Sequence, residues 1–155
     1  PDMLEVGNPG LSFLEQRSMM SLWAISGAPL LIGTSVTDIS NETLSILGNK
    51  KVIAIDQDPG ANGYQQGTLV QQGTGWEIWA KSLSSKDRAV AVAIVNLGMS
   101  STIITANFTS WGWNASTKAS AENLWVNEKE STFWVGSITS TLESHETSMF
   151  RLVPE

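Results

Sequence analysis

Cysteine is absent from this 155-residue chain, which excludes disulfides, thiolate metal sites and cysteine nucleophiles together. Histidine occurs once, at position 145, so a multi-histidine metal cluster is excluded and only one candidate base remains for a serine–histidine–aspartate arrangement. Charged residues make up only 15% of the chain, and the nine cations stand against fifteen anions for a formal charge of −6. A nucleic-acid binder or an anionic-membrane binder needs a basic face, which this balance does not provide. No apolar run approaches the ~20 residues that a bilayer-spanning helix needs. The longest runs, 28–32 and 89–95, have the length of strands. Nothing in the residue set points to a metal or a cofactor.

What the chain does contain is apolar material at 41%, enough for a real core, and 33 serine and threonine residues. Three N-x-[ST] sequons occur, at Asn41, Asn107 and Asn114. Together with the acidic balance they favour a secreted, extracellular, vacuolar or lysosomal glycoprotein. The first residues lack the basic n-region of a signal peptide, and the chain does not begin with Met. A processed product or a piece of a larger protein is therefore expected.

The hydrophobic period changes near residue 60. One of the seven Trp residues precedes it and six follow. Ser12 and Glu15 form a capping box that opens a helix, with Phe13, Met20, Trp23 and Ala24 on one stripe. Gly27 is a plausible C-cap and Pro29 a stop. Residues 30–33 read as a short strand buried on both faces. Ser40 caps a helix over 41–47, and 50–55 is helix or strand by pattern alone. Helix, buried strand and helix make α/β grammar with a parallel sheet, whose partner strands must come from elsewhere.

Residues 56–63 form a turn cluster. About six or seven strands follow at short spacing, the pattern of an antiparallel sandwich. They are predicted near 76–81, 89–95, 102–108, 123–126, 132–138 and 149–153. In the first, Trp76, Ile78 and Ala80 alternate with Glu77, Trp79 and Lys81, which places Trp79 on the polar side. In the second, Val90, Val92 and Ile94 share one face and small residues the other.

The first sixty residues carry a family resemblance. Residues 1–8, Pro-Asp-Met-Leu-Glu-Val-Gly-Asn, resemble the end of the Trp-Asn-Asp-Pro-Asp-Met-Leu segment of the α-galactosidase family, which also contains α-N-acetylgalactosaminidases. Gly10-Leu11-Ser12 is similar to its next helix start. Leu22-Trp23-Ala24 and residues 28–33 are similar to its "LWA…APLLIG" stretch, and 49–59 to its "NKEVIAINQDP" run. Pro9 stands where the family often has Gly, and Asp56 where Asn is usual. Beyond residue 60 the resemblance is one of pattern.

The resemblance implies an α/β plus all-β fold: the last part of a (β/α)₈ TIM barrel over 1–58, then a C-terminal antiparallel β-sandwich over 59–155. Residues 30–33 would be the eighth barrel strand and Asp2 would lie in the loop after the seventh. The implied activity is retaining hydrolysis of terminal α-galactosyl residues, with the missing N-terminal barrel portion and an α-galactoside as partners. The nucleophile and the acid/base of such chemistry are carboxyl groups, and the family's two lie on earlier strands. No catalytic residue is therefore assigned in this chain. Asp2 and Met3 match positions at the floor of the sugar pocket, where the carboxylate accepts hydroxyl hydrogen bonds and the Met lies on the ring. The other reading is a non-catalytic carbohydrate-binding or structural sandwich module.

Other candidate residues receive ordinary roles. Asp56-x-Asp58 fails as an EF-hand, because positions six and twelve are Ala61 and Gly67, so both aspartates are expected to cap turns at the junction. His145 beside Glu146 reads as a loop or strand-end histidine. Trp76, Trp125 and Trp134 read as core or interface residues, and Trp79 as the one plausible exposed sugar platform. Trp111 and Trp113 lie in a loop between two sequons.

Overall fold

The computed structural model describes residues 2–126 and 132–155. The N-terminal segment holds β1 (Met3–Leu4), α1 (Phe13–Ser26), β2 (Leu31–Ile32), α2 (Asn41–Leu47) and α3 (Lys50–Gln57). Beyond it come β3 (Thr68–Gly73), β4 (Trp76–Ser82), β5 (Val90–Asn96), β6 (Thr102–Asn107) and a 3₁₀ turn, Phe108–Trp111. The chain finishes with β7 (Lys118–Asn123), β8 (Thr132–Val135), β9 (Ser137–Leu142) and β10 (Thr147–Pro154).

The caps form where their residues predict them. Ser12 accepts from the Glu15 amide, and the Glu15 carboxylate accepts from the Ser12 amide at 2.8 Å. That second bond holds the Glu15 carboxyl below its usual range. Gly27 closes α1 at φ 62°, a left-handed conformation that glycine adopts without strain. Ser40 caps α2, and Asn49 caps α3 by accepting from the Lys51 and Val52 amides. This settles residues 50–55 as helix.

Strands β3-β4-β5-β10-β7-β8 form one sheet whose described pairs are all antiparallel. β6 and β9 form a second antiparallel pair. The two enclose a core of Ile78, Val90, Val92, Ile94, Ile104, Phe108, Ile138, Leu142, Phe150 and Leu152, with small alanines between. The large face of β5 thus fills the sandwich. Its small face, Ala89, Ala91 and Ala93, turns the other way and admits α1, α3 and β1. That second core joins Leu4, Val6, Met20, Ala24, Ile25, Ile46, Val52 and Ile55 to Leu83, Leu124 and Met149. Three layers result: helices, the six-stranded sheet and the two-stranded sheet.

Several expectations need correction. Residues 123–126 are not a strand: β7 ends at Asn123, whose side chain then accepts from the Trp125 amide in a turn. Residues 132–138 are not one strand. Gly136 at φ 70° breaks them, in a place where a Cβ would lie 2.3 Å from the Ala115 carbonyl oxygen, so β8 joins the large sheet and β9 the small one. β3 went unpredicted because this edge strand alternates poorly and its register shifts between Leu69 and Gln71. Finally, the strand over 30–33 is not buried on both faces. β2 pairs in parallel with β1 alone, Met3 opposite Leu31 and Leu4 opposite Ile32. Leu31 and Ile32 remain 55% and 49% exposed because no other described strand continues the ladder.

Candidate functional site

The candidate site lies at the β1–β2 pair. Three contacts hold it. The Gly33 amide donates to the Leu4 carbonyl at 2.9 Å, extending the parallel ladder. The Asn8 side chain donates to Glu5 and to the Gly33 carbonyl, tying the exit of β1 to that of β2. The Gly7 amide donates to the Gln16 side chain at 2.8 Å, fixing the following loop on α1. A Cβ at Gly7 would lie 2.7 Å from the Thr43 methyl, so the loop also sits tightly against α2.

Asp2 immediately precedes β1. It is exposed, and its main-chain oxygen lies 3.5 Å from the Trp23 indole nitrogen. Its carboxylate makes no hydrogen bond among the described residues. Met3 is half exposed on the same rim. The structure therefore places Asp2 and Met3 side by side, with an uncommitted acceptor and an accessible thioether. Met3, Leu31 and Ile32, with Val36 beyond, add an exposed apolar edge. Glu5, by contrast, is engaged by Asn8.

The other candidates separate cleanly. Asn41, Asn107 and Asn114 are all exposed. The Asn114 side-chain oxygen accepts from the amide and hydroxyl of Ser116, both at 2.9 Å. Asp58 caps the junction turn as expected, accepting from the Gly60 and Ser84 amides and the Ser84 hydroxyl. Asp56 does not: it is buried in the last turn of α3. His145 occupies a turn at φ 58°, where its carbonyl accepts from Ser18 and its ring lies against Met99. Among the described residues no group of three or more His, Asp or Glu gathers as a metal site, and no helix is long and apolar enough to cross a membrane.

Trp79 is not an exposed platform. The face of β4 that carries Glu77, Trp79 and Lys81 looks toward the helices rather than solvent, so Trp79 is half-buried against the first core and donates to Glu77 at 2.9 Å. Trp125 lies under the Arg17 guanidinium, 4.8 Å from its ring centre, and donates to Ser21. Trp111 and Trp113 pack around Phe108 with ring centres 5.4 and 5.5 Å away. The described indoles serve as filling between layers. Lys81 and Asn96, both buried, escaped the sequence reading. Alternation does place Lys81 beside Trp79, but the burial of that face follows only from the alanine face of β5.

Comparison with known proteins matches two segments of the chain. Residues 1–58 match the family model described as alpha galactosidase A, and residues 73–152 match the alpha galactosidase C-terminal beta sandwich domain. The chain is 40% identical over 154 residues to an alpha-galactosidase of Oryza sativa subsp. japonica, covering 99% of itself and 35% of that protein. It is 38% identical over 154 residues to the alpha-galactosidase of Coffea arabica, covering 99% of itself and 39% of that protein. In structure it is similar to alpha-galactosidase I from Mortierella vinacea, with a TM-score of 0.87 and 26% identity over 97% of this chain and 38% of the other. The chain thus spans less than two fifths of the length of these relatives.

Proposed function

The chain belongs to the α-galactosidase family, and from that membership we propose that it forms the C-terminal part of a retaining glycoside hydrolase that removes terminal α-galactosyl residues from oligosaccharides or glycoconjugates. Residues 1–58 end its (β/α)₈ barrel and residues 59–155 form its sandwich. The observation that carries this reading is the β1–β2 pair. Two parallel strands with half-exposed Leu31 and Ile32 are the stub of a longer sheet, and further barrel strands would bury that edge.

In this reading the chain's own contribution to chemistry is binding and orientation. Asp2 accepts hydrogen bonds from sugar hydroxyls, and Met3 covers the apolar face of the ring. Neither is the nucleophile or the proton donor, which the resemblance places on upstream strands. The α1 capping box and the Gly7–Gln16 bond keep the rim rigid, so the sugar is held at a fixed height above the strands. Exposure of the three sequons supports secretion with glycosylation at Asn41, Asn107 and Asn114. A carbohydrate-binding module is disfavoured because the one indole that could have served it as an exposed platform, Trp79, is turned into the helix layer.

The test is an assay with a chromogenic α-galactoside. The complete polypeptide, barrel included, is expected to release galactose with retained configuration. Residues 1–155 expressed alone are expected to show no turnover above an empty-vector background. Inactivity of the complete polypeptide on every α-galactoside, or turnover by 1–155 alone, overturns the reading.

A further inference from the structure

The joint between helices and sandwich contains two buried ionisable side chains that the binding of a sugar does not use. Lys81 on β4 and Asp56 in the last turn of α3 are each only 2% exposed. The Lys81 ammonium donates to the main-chain oxygens of Ile55 at 2.6 Å and Asp56 at 3.4 Å. It therefore sits at the negative end of the α3 dipole and pins that helix to the sheet. Gln65 donates to the same Asp56 carbonyl at 2.8 Å, so the junction loop is fastened there too.

The Asp56 carboxylate is left short of partners. One oxygen accepts from Gln57. The other is sealed from solvent with no hydrogen-bond partner among the described residues. Because that oxygen is already inaccessible, additional polypeptide packed on the outside cannot reach it without rearrangement. The charged group that acts on it is Lys81 from β4, which in turn feels Asp58 of the junction turn, and on the α1 side the Ile25 carbonyl accepts from the Gly67 amide of the junction loop. Lys81 spends its hydrogen bonds on carbonyls and forms no ion pair with either aspartate.

We propose that acid tightens this joint through proton uptake at Asp56. An ionised carboxylate with a sealed, unpartnered oxygen is costly, and its neutral form is less so. Burial accordingly pushes the Asp56 carboxyl above its usual range, while the Gln57 bond and the Lys81 charge pull it back only in part. The folded chain then holds this proton to higher pH than the unfolded chain, whose carboxyl titrates near 3.8. The stabilising contribution is complete below that value and is lost as pH rises through the folded value. Lys81 acts in the opposite sense at alkaline pH, because burial lowers its ammonium while the two aspartates raise it. The inference stands on the joint alone and does not depend on the sugar-site reading. Asparagine, the residue usual here in the resembled family, supplies an isosteric control.

The experiment is a series of urea unfolding curves on the full polypeptide and its Asp56→Asn variant, from pH 4 to pH 8. The wild type should lose stability relative to the variant as pH rises, by at most tenfold in the folding constant per pH unit, the limit for one proton. Parallel curves for the two proteins overturn the proposal. In the wild type alone, a carbon-13 titration of the Asp56 carboxyl should give a midpoint above that of an ordinary aspartate. A midpoint at or below the ordinary value overturns it even if the variant fails to fold.

Discussion

Replacing Asp2 by Asn in the complete polypeptide of the proposed hydrolase separates binding from folding. The Asp2 carboxylate makes no hydrogen bond within the described chain, and Asp2 is exposed. Its removal therefore costs the fold close to nothing, and the main-chain contact to Trp23 persists. In the proposed sugar site, what is lost is the charge of one acceptor toward sugar hydroxyls, about 1.5–3 kcal/mol for a charge-assisted hydrogen bond. That corresponds to roughly 10- to 150-fold in kcat/KM, well short of the loss expected when a catalytic carboxylate is removed. The assay is steady-state kinetics on an α-galactoside, with the unfolding midpoint measured alongside. Wild-type kinetics would refute the placement of Asp2 in the sugar pocket. A loss on the scale of a missing nucleophile would refute its passive role, and a lowered midpoint would refute the claim that it is free of the fold.

Asn96 is buried and joins two turns: its amide donates to the Ser100 and Glu143 carbonyls at 2.8 Å, and its oxygen accepts from the Gly98 amide. Asn96→Ala should destabilise the protein by about 2–4 kcal/mol, read from urea midpoints, because buried main-chain groups lose their partners. Material from the native host should lose mass at one or more of Asn41, Asn107 and Asn114 on enzymatic deglycosylation, and an unmodified mass at all three asparagines would remove the argument for a secretory route.

Legibility in the sequence followed the range of the interactions. Ser12, Glu15, Gly27 and Ser40 act within four residues of themselves, so their caps could be read directly, whereas the Asn49 cap that makes 50–57 a helix was seen only in the structure. The strands β4, β5 and β10 have strong period-two alternation and were legible too. β3 was not, because an edge strand with a bulge needs little apolar side chain. Gly136 was misread because its role is to let the Ala115 carbonyl approach, a contact over twenty residues away in sequence. Trp79 and Lys81 were misread for a related reason. Alternation says that two faces differ, not what covers each, and the cover here is α1 and α3. The stranded parallel strand was legible as a fragment of a sheet, but its exposure follows only from seeing that β2 has one neighbour.

The joint at residues 56–66 is a change of topology without being a gap in the packing. The first core takes Met20, Ala24, Ile25, Val52 and Ile55 from the helices and Leu83, Ala89, Ala91, Ala93 and Met149 from the sandwich. Cutting the chain there would strip the cover from the alanine face of β5 and leave Lys81 without its carbonyl acceptors. An alanine face is a poor surface on its own, since each side chain buries little area, yet it permits the close approach that lets α1 lie flat on the sheet. The small residues are thus spent on proximity, and the buried lysine on direction, because its ammonium, with the Gln65 amide, satisfies the open end of α3. The proposed sugar site at the β1–β2 rim inherits its rigidity from this arrangement. β1 rests on α1, α1 rests on β5 and β10, and the rim cannot shift without opening a core that both halves share.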